Sequence, residues 1–174
     1  MGREVRMVPP DWQHPKNPLT GDFAPLLPDR FASALEEWEN GAEQWAKGFR
    51  KDWSRDDKFI PIEAEHRHLT YEEWDGEKPL AEHYMPAWTP EVATHLMMYE
   101  DTSEGTPISP AFETPEELAR WLVDNEATAN GDRGASYEGW LRVARGGYAP
   151  SMVSDGRTWT TGVDSADVIP VKDA

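Results

Sequence analysis

The sequence contains no cysteine. That absence excludes a disulfide scaffold, a zinc finger, an iron–sulfur site, a thiol nucleophile and a CxxC redox pair. Positive charge is scarce too: 17 Lys and Arg stand against 33 Asp and Glu, a formal net charge of −16. Phosphate affinity comes from excess positive charge, so direct nucleic-acid binding is not expected. An anionic membrane surface is disfavoured for the same reason. No stretch approaches the ~18 consecutive apolar residues of a membrane span. Met1 to Pro10 also lacks the apolar core of a signal peptide, so a cytoplasmic location is expected. High-specificity catalytic strings are missing: there is no GxxxxGK[ST] loop, no GxGxxG, no HExxH and no EF-hand ladder. The reading therefore assigns no catalytic residue and no cofactor, and it favours binding over catalysis.

What is present is acidic charge, concentrated in one stretch, and tryptophan. Residues 59–118 carry 14 acidic but only 2 basic side chains, Arg67 and Lys78. The flanking thirds are each close to balance, so the field of the middle third is strongly negative. Nine tryptophans in 174 residues argue for an ordered chain, since disordered segments are poor in aromatics. The length fits one domain, read as 1–174.

Local patterns give an α+β reading: a small antiparallel sheet packed with one long and two shorter helices. Six prolines in residues 1–28 make an extended arm, preceded by a short strand at Glu4–Val8. Phe23, Leu26 and Leu27 are expected to tie that arm to the body. Phe31, Leu35, Trp38, Ala42, Trp45 and Phe49 recur at spacings of four and three, which predicts one helix over 30–52 capped by Asp29. Asn40-Gly41 is its weak point. Phe59-Ile60-Pro61-Ile62 reads as a short edge strand or a docked loop. Residues 94–112 read as a hairpin turning at Gly105, with Pro107 and Pro110 confining the return to a sheet edge. Val92, His95, Leu96 and Tyr99 also fit a helical spacing, which is the competing assignment there. Thr114-Pro115-Glu116-Glu117 has the form of a capping box with Pro at the first helical position, opening a helical pair over 115–145. A second hairpin is expected over 151–162, and a loose tail over 164–174.

Three groups of residues carry functional expectations. The first is the acidic stretch itself: Glu63, Glu65, Glu72, Glu73, Trp74, Asp75, Glu77 and Glu82 would present carboxylates to a basic partner, with an aromatic anchor among them. Tyr71, Tyr84, Trp88 and Tyr99 are further aromatics in the same stretch. The bland alternative is a solvated acidic face that keeps the protein soluble. The second group is the hairpin, where His95, Tyr99, Glu100, Ser103, Glu104 and Thr106 would surround a small-molecule pocket walled by tryptophan, with Glu100 and Glu104 as an acid–base pair. The third is a weak metal signal: His66 and His68 lie two apart, so on a strand they share a face, and Glu63, Glu65, His83 or His95 would complete an N/O site. Surface histidines in an acidic field account for the same residues. Ser136, in Gly134-Ala135-Ser136-Tyr137-Glu138, reads as a helix N-cap and not as a nucleophile elbow, because the last position is not Gly.

Several segments also carry a resemblance. They are Gly2-Arg3-Glu4-Val5-Arg6, Tyr84-Met85-Pro86, Thr94-His95, Met98-Tyr99-Glu100, the run Thr102 to Pro110, Thr114-Pro115-Glu116-Glu117-Leu118-Ala119-Arg120-Trp121-Leu122, and Ser136-Tyr137-Glu138-x-Trp140-Leu141. Together they resemble a group of acidic, tryptophan-rich proteins encoded by tailed bacteriophages and prophages, to which no activity is assigned. The resemblance spans roughly residues 2–147, and Ala42 to Glu65 contributes nothing to it. It implies a viral protein working in the host cytoplasm, and by analogy an accessory, host-takeover or anti-defence factor. The leading expectation is then an inhibitor that blocks a basic, nucleic-acid-handling host protein through its acidic face. The alternative is a small-molecule or metal-binding protein, a small enzyme or a ligand-sequestering protein, using the 95–109 hairpin. A virion or assembly component is a third reading.

Overall fold

The structure, a computed structural model, describes residues 2–54, 58–101, 105–154 and 156–165. In chain order the elements are β1 (Arg3–Val8), α1 (Phe31–Ala46), β2 (Phe49–Lys51), β3 (Phe59–Pro61), α2 (Tyr71–Asp75), a 3₁₀ turn (Ala81–His83), β4 (His95–Glu100), α3 (Pro115–Asp124), α4 (Tyr137–Gly146), β5 (Tyr148–Ala149), β6 (Met152–Ser154) and β7 (Trp159–Thr161). Every strand pairing is antiparallel, and the class is α+β as expected. The chain folds as two compact units, one made of Met1–Leu27 with Pro86–Ala174 and the other of Pro28–Met85.

The first unit is organised by β1, the central strand of a sheet ordered β4-β1-β5. Its register pairs Glu4 with Tyr99 and Arg6 with Met97. Alternation along the strands then puts Glu4, Arg6, Val8, His95, Met97 and Tyr99 on one face. Arg3, Val5, Met7, Leu96, Met98 and Glu100 take the other. The second face meets α3 and α4. Met98, Leu118, Leu122 and Trp140 are fully buried there, with Val5 and Leu96 packed alongside. Each such leucine contributes about 1.5–3 kcal/mol relative to an exposed one. The helices start where the sequence places them. Thr114 and Glu117 form a capping box with Pro115 in the first turn, and the Ser136 hydroxyl accepts from the Gly139 amide.

The other face is covered by the N-terminal arm. Leu26 is buried, but Phe23 and Leu27 stay about two-fifths exposed, so one of the three expected anchors holds and His14 supplies another. The 94–112 segment is a strand followed by an extended return, and the helical alternative is excluded. Leu96 and Phe112 exchange two backbone hydrogen bonds, and Ile108 donates to Met98. Between them the ladder is interrupted, because Pro107 and Pro110 have no N–H. Gly105 (φ +54°) packs against the Leu26 carbonyl so closely that a Cβ would collide with it. The second hairpin is β6–β7, with Asp155 of its turn outside the described residues. Asp164, expected at the start of a loose tail, is held in place: its carboxylate accepts from the Ser136 amide, the Ser136 hydroxyl and the Thr161 hydroxyl. Residues 166–174 lie outside the described part.

The second unit departs further from expectation. The helix over 30–52 is α1 followed by a turn and a strand. Lys47 closes the helix, and Gly48 (φ +88°) turns the chain into β2. The 3-4 spacing carries on to Phe49 by coincidence of phase, and Phe49 is a strand residue 40% exposed. Asp29 does not cap the helix: Arg30 occupies that position with no side-chain bond to the first turn. Gly41 is not a weak point but a contact, since the Tyr71 hydroxyl and ring occupy the space a Cβ would need. No residue of α1 is fully buried. Among the described hydrophobic residues of this unit only Ile62 and Met85 are. β2 and β3 form a two-stranded ribbon ending on Pro61, as an edge strand containing proline should.

Candidate functional site

All eight residues of the expected acidic face lie in the Pro28–Met85 unit. The acidic stretch 59–118 is divided at Pro86 between the two units, and residues 63–82 belong to the second. At its centre is an aromatic shelf. The Trp45 and Trp74 rings lie 5.4 Å apart at 30°, His66 sits 4.7 Å from Trp74, and Tyr71 bridges Trp38 and Trp45. Two indoles are pinned by backbone carbonyls: Trp45 Nε1 donates to Leu69 at 3.1 Å, and Trp38 Nε1 to Gly76 at 3.1 Å. Trp74 is thus a half-buried lid in this shelf, with the Arg50 guanidinium 5.6 Å from its ring centre.

The carboxylates around the shelf fall into two sets. Glu63, Glu73 and Asp75 have internal work. Arg50 holds Glu63 in a two-pronged ion pair whose Nε arm is 2.8 Å, and this lowers the Glu63 pKa to about 2. Glu73 closes a capping box with Thr70, and the Thr70 amide holds its carboxyl below the usual range. Asp75 accepts from the Tyr71 hydroxyl at 2.8 Å. Burial, then this carboxylate, raises the phenol's pKa. Glu65 is 78% exposed and lies 3.4 Å from His66 Nε2. Glu72, Glu77 and Glu82 are exposed, and among the described residues their side chains have no hydrogen-bond or ion-pair partner.

The metal expectation gains no geometry. His66 stacks on Trp74, His68 is exposed, and among the described residues no three His, Asp or Glu side chains gather as a metal site. His66 and His68 are not on a strand, so the shared face that spacing offered is lost.

Among the described hairpin residues, the Glu100 amide donates to the Thr106 carbonyl at 2.9 Å, while neighbouring side chains diverge. Tyr99 points to the arm side of the sheet and Glu100 to the helix side, where it pairs with buried Arg3 at 3.1 Å. His95 takes a bond from or gives one to the Thr94 hydroxyl, and Thr106 is half-buried. Ser103 and Glu104 lie outside the described residues, so the Glu100–Glu104 pair does too. What Tyr99 does join is a buried network that the sequence reading passed over. Its hydroxyl accepts from Trp12 Nε1 at 3.3 Å and lies 3.1 Å from His14 Nδ1, while His14 Nε2 is 2.7 Å from the Ala24 carbonyl. The carbonyl requires a proton on Nε2, so in the neutral ring Nδ1 accepts from Tyr99. The Arg6 guanidinium stands 4.5 Å over the Tyr99 ring and donates to the Leu26 carbonyl. Burial pushes the Tyr99 phenol up to about 12 and the His14 imidazole down. The readable signal was Trp12-x-His14 in an extended segment, where alternate side chains share a side.

Compared with protein-family models, curated proteins and solved structures, the chain matches none. No helix among the described residues is long and apolar enough to cross a membrane.

Proposed function

We propose that this is a phage-encoded accessory protein of the anti-defence kind, acting in the host cytoplasm by binding and blocking a basic, nucleic-acid-handling host protein. The observation that carries the reading is a set of exposed carboxylates, Glu72, Glu77 and Glu82, that have no side-chain partner among the described residues and belong to the same unit as the Trp74 shelf. Unpaired carboxylates on a chain of net charge −16 raise the encounter rate with a cationic surface. A rigid aromatic shelf offers the apolar contact area that gives a complex its lifetime. The resemblance over residues 2–147 supports the phage setting.

The test is capture from bacterial lysate, identification of the captured protein, and affinity measurement with purified components. Binding should weaken steeply between about 0.05 and about 0.5 M NaCl as exposed charges are screened. The triple variant E72K/E77K/E82K should lose at least about tenfold in affinity, mainly through the association rate. Salt-insensitive binding, or full affinity in the triple variant, would refute the reading.

A further inference from the structure

A concavity lies in the first unit, between the N-terminal arm and the 107–111 return segment. Its volume is about 520 Å³, within the ~300–1,000 Å³ range of small-ligand sites. Its lining is distinctive in two ways. First, it presents flat apolar groups, the indoles of Trp12 and Trp121 with Pro107 and Pro110, beside polar surface of nearly the same extent that includes Gln13 and Ser109. The two prolines have no N–H to present, so that wall is free of backbone donors at those positions. Second, no Asp or Glu lines it, although 33 of the chain's residues are acidic; its one permanently charged group is Lys16. The Lys16 ammonium lies 4.8 Å from the Phe23 ring centre and has no carboxylate partner among the described residues.

The walls are fixed before any ligand arrives. Trp12 is held by its bond to Tyr99 and by edge-on contact with Trp88 at 4.7 Å. Ser109 pins the return segment by accepting from the Met98 amide at 2.9 Å and donating to the Pro110 carbonyl at 2.8 Å. Both His14 nitrogens are engaged inside the protein, so the imidazole is wall and not ligand contact. A groove with flat aromatic and proline surfaces, one unneutralised ammonium and no competing carboxylate is complementary to a flat apolar molecule bearing one negative charge.

We propose that this groove binds an aromatic monocarboxylate, with the ring against Trp12 and Trp121 and the carboxylate on Lys16. The site is separate from the acidic face, and neither reading depends on the other. The test titrates the full chain with indole-3-acetate and, in parallel, with uncharged indole-3-acetamide, following the tryptophan indole N–H signals by ¹H–¹⁵N NMR at constant ionic strength. The carboxylate should bind saturably and move the Trp12 and Trp121 signals, with the amide about tenfold weaker, as the loss of one charge-assisted contact implies. Lys16→Met, at an exposed position, should bring the carboxylate down to the amide's affinity without altering the rest of the spectrum. Trp121→Phe should weaken both probes. No saturable binding at millimolar probe would overturn the proposal. So would equal affinities of acid and amide, or a Lys16→Met variant that binds indole-3-acetate normally.

Discussion

The two units hold themselves together by different means. In the first, two amphipathic helices lay Leu118, Leu122 and Trp140 on a sheet face and exclude water from all three. In the second, a longer helix has no fully buried residue, and half-buried rings lean on one another above a two-stranded ribbon. Dry aliphatic burial is proportional to area and tolerant of direction. Aromatic edge and tilt contacts are directional and leave polar indole N–H groups to be satisfied one by one. The first unit therefore has a core in the ordinary sense, and the second has a set of fitted contacts around Tyr71.

The largest expected effect compares truncations in the two. Trp140→Ala empties a fully buried site and should cost about 3–5 kcal/mol in urea unfolding. Trp74→Ala removes a half-buried ring and should cost about 1–2 kcal/mol. Trp140→Phe should fall well below Trp140→Ala, because the Trp140 Nε1 donor is buried without a hydrogen-bond partner among the described residues and its removal relieves a cost. Equal losses for Trp140→Ala and Trp74→Ala would break the comparison.

Gly41→Ala asks whether the second unit is truly fitted. In an unconstrained helix this change gains about 1 kcal/mol. Here the added methyl meets the Tyr71 hydroxyl and ring, so a net loss of about 1–2 kcal/mol is expected from overpacking. In a Tyr71→Ala background the same change should become stabilising by about 1 kcal/mol. A stabilising Gly41→Ala in the wild-type chain would show that the contact yields freely.

The smallest effect concerns the arm side of the first unit, and it is read by pH. Burial, assisted by the nearby Arg6 charge, lowers the His14 pKa from its ordinary 6.5, while the Ala24 carbonyl pulls the other way. The unfolded chain then binds this proton more readily than the folded one. Stability from this group is complete above pH 6.5 and declines as pH falls below it. A proton on Nδ1 would also turn the bond from Tyr99 against itself. His14→Gln should flatten the difference in unfolding midpoint between about pH 7.5 and about pH 5 relative to wild type. An unchanged pH dependence in the variant would remove His14 from this role.

Local chemistry was legible where it is settled within a few residues. The Thr114–Glu117 box, the Ser136 cap and the proline-broken return after β4 could all be read directly, since the caps rest on bonds within one helical turn and the break on the missing N–H of Pro107 and Pro110. The end of α1 could not, because the apolar spacing stayed in phase through Lys47 and Gly48 to Phe49. The candidate sites were legible in residue type only. Glu63, Glu72, Glu73 and Asp75 look alike in sequence, yet one is clamped by Arg50, two serve Thr70 and Tyr71, and one has no side-chain partner among the described residues. The groove at Lys16 drew no attention at all, because its walls come from residues about a hundred positions apart.

By itself, the sequence determined the α+β class, the starts of α3 and α4 and the strong negative charge, because propensity, capping and composition act locally or in sum. Tertiary structure alone decided that β1 sits at the centre of its sheet, that Tyr99 and Glu100 face opposite sides, and that a chain so rich in carboxylates leaves one groove free of them. Those outcomes depend on which distant strand supplies a partner and on the strict alternation it then imposes, and no stretch of neighbouring residues carries that information.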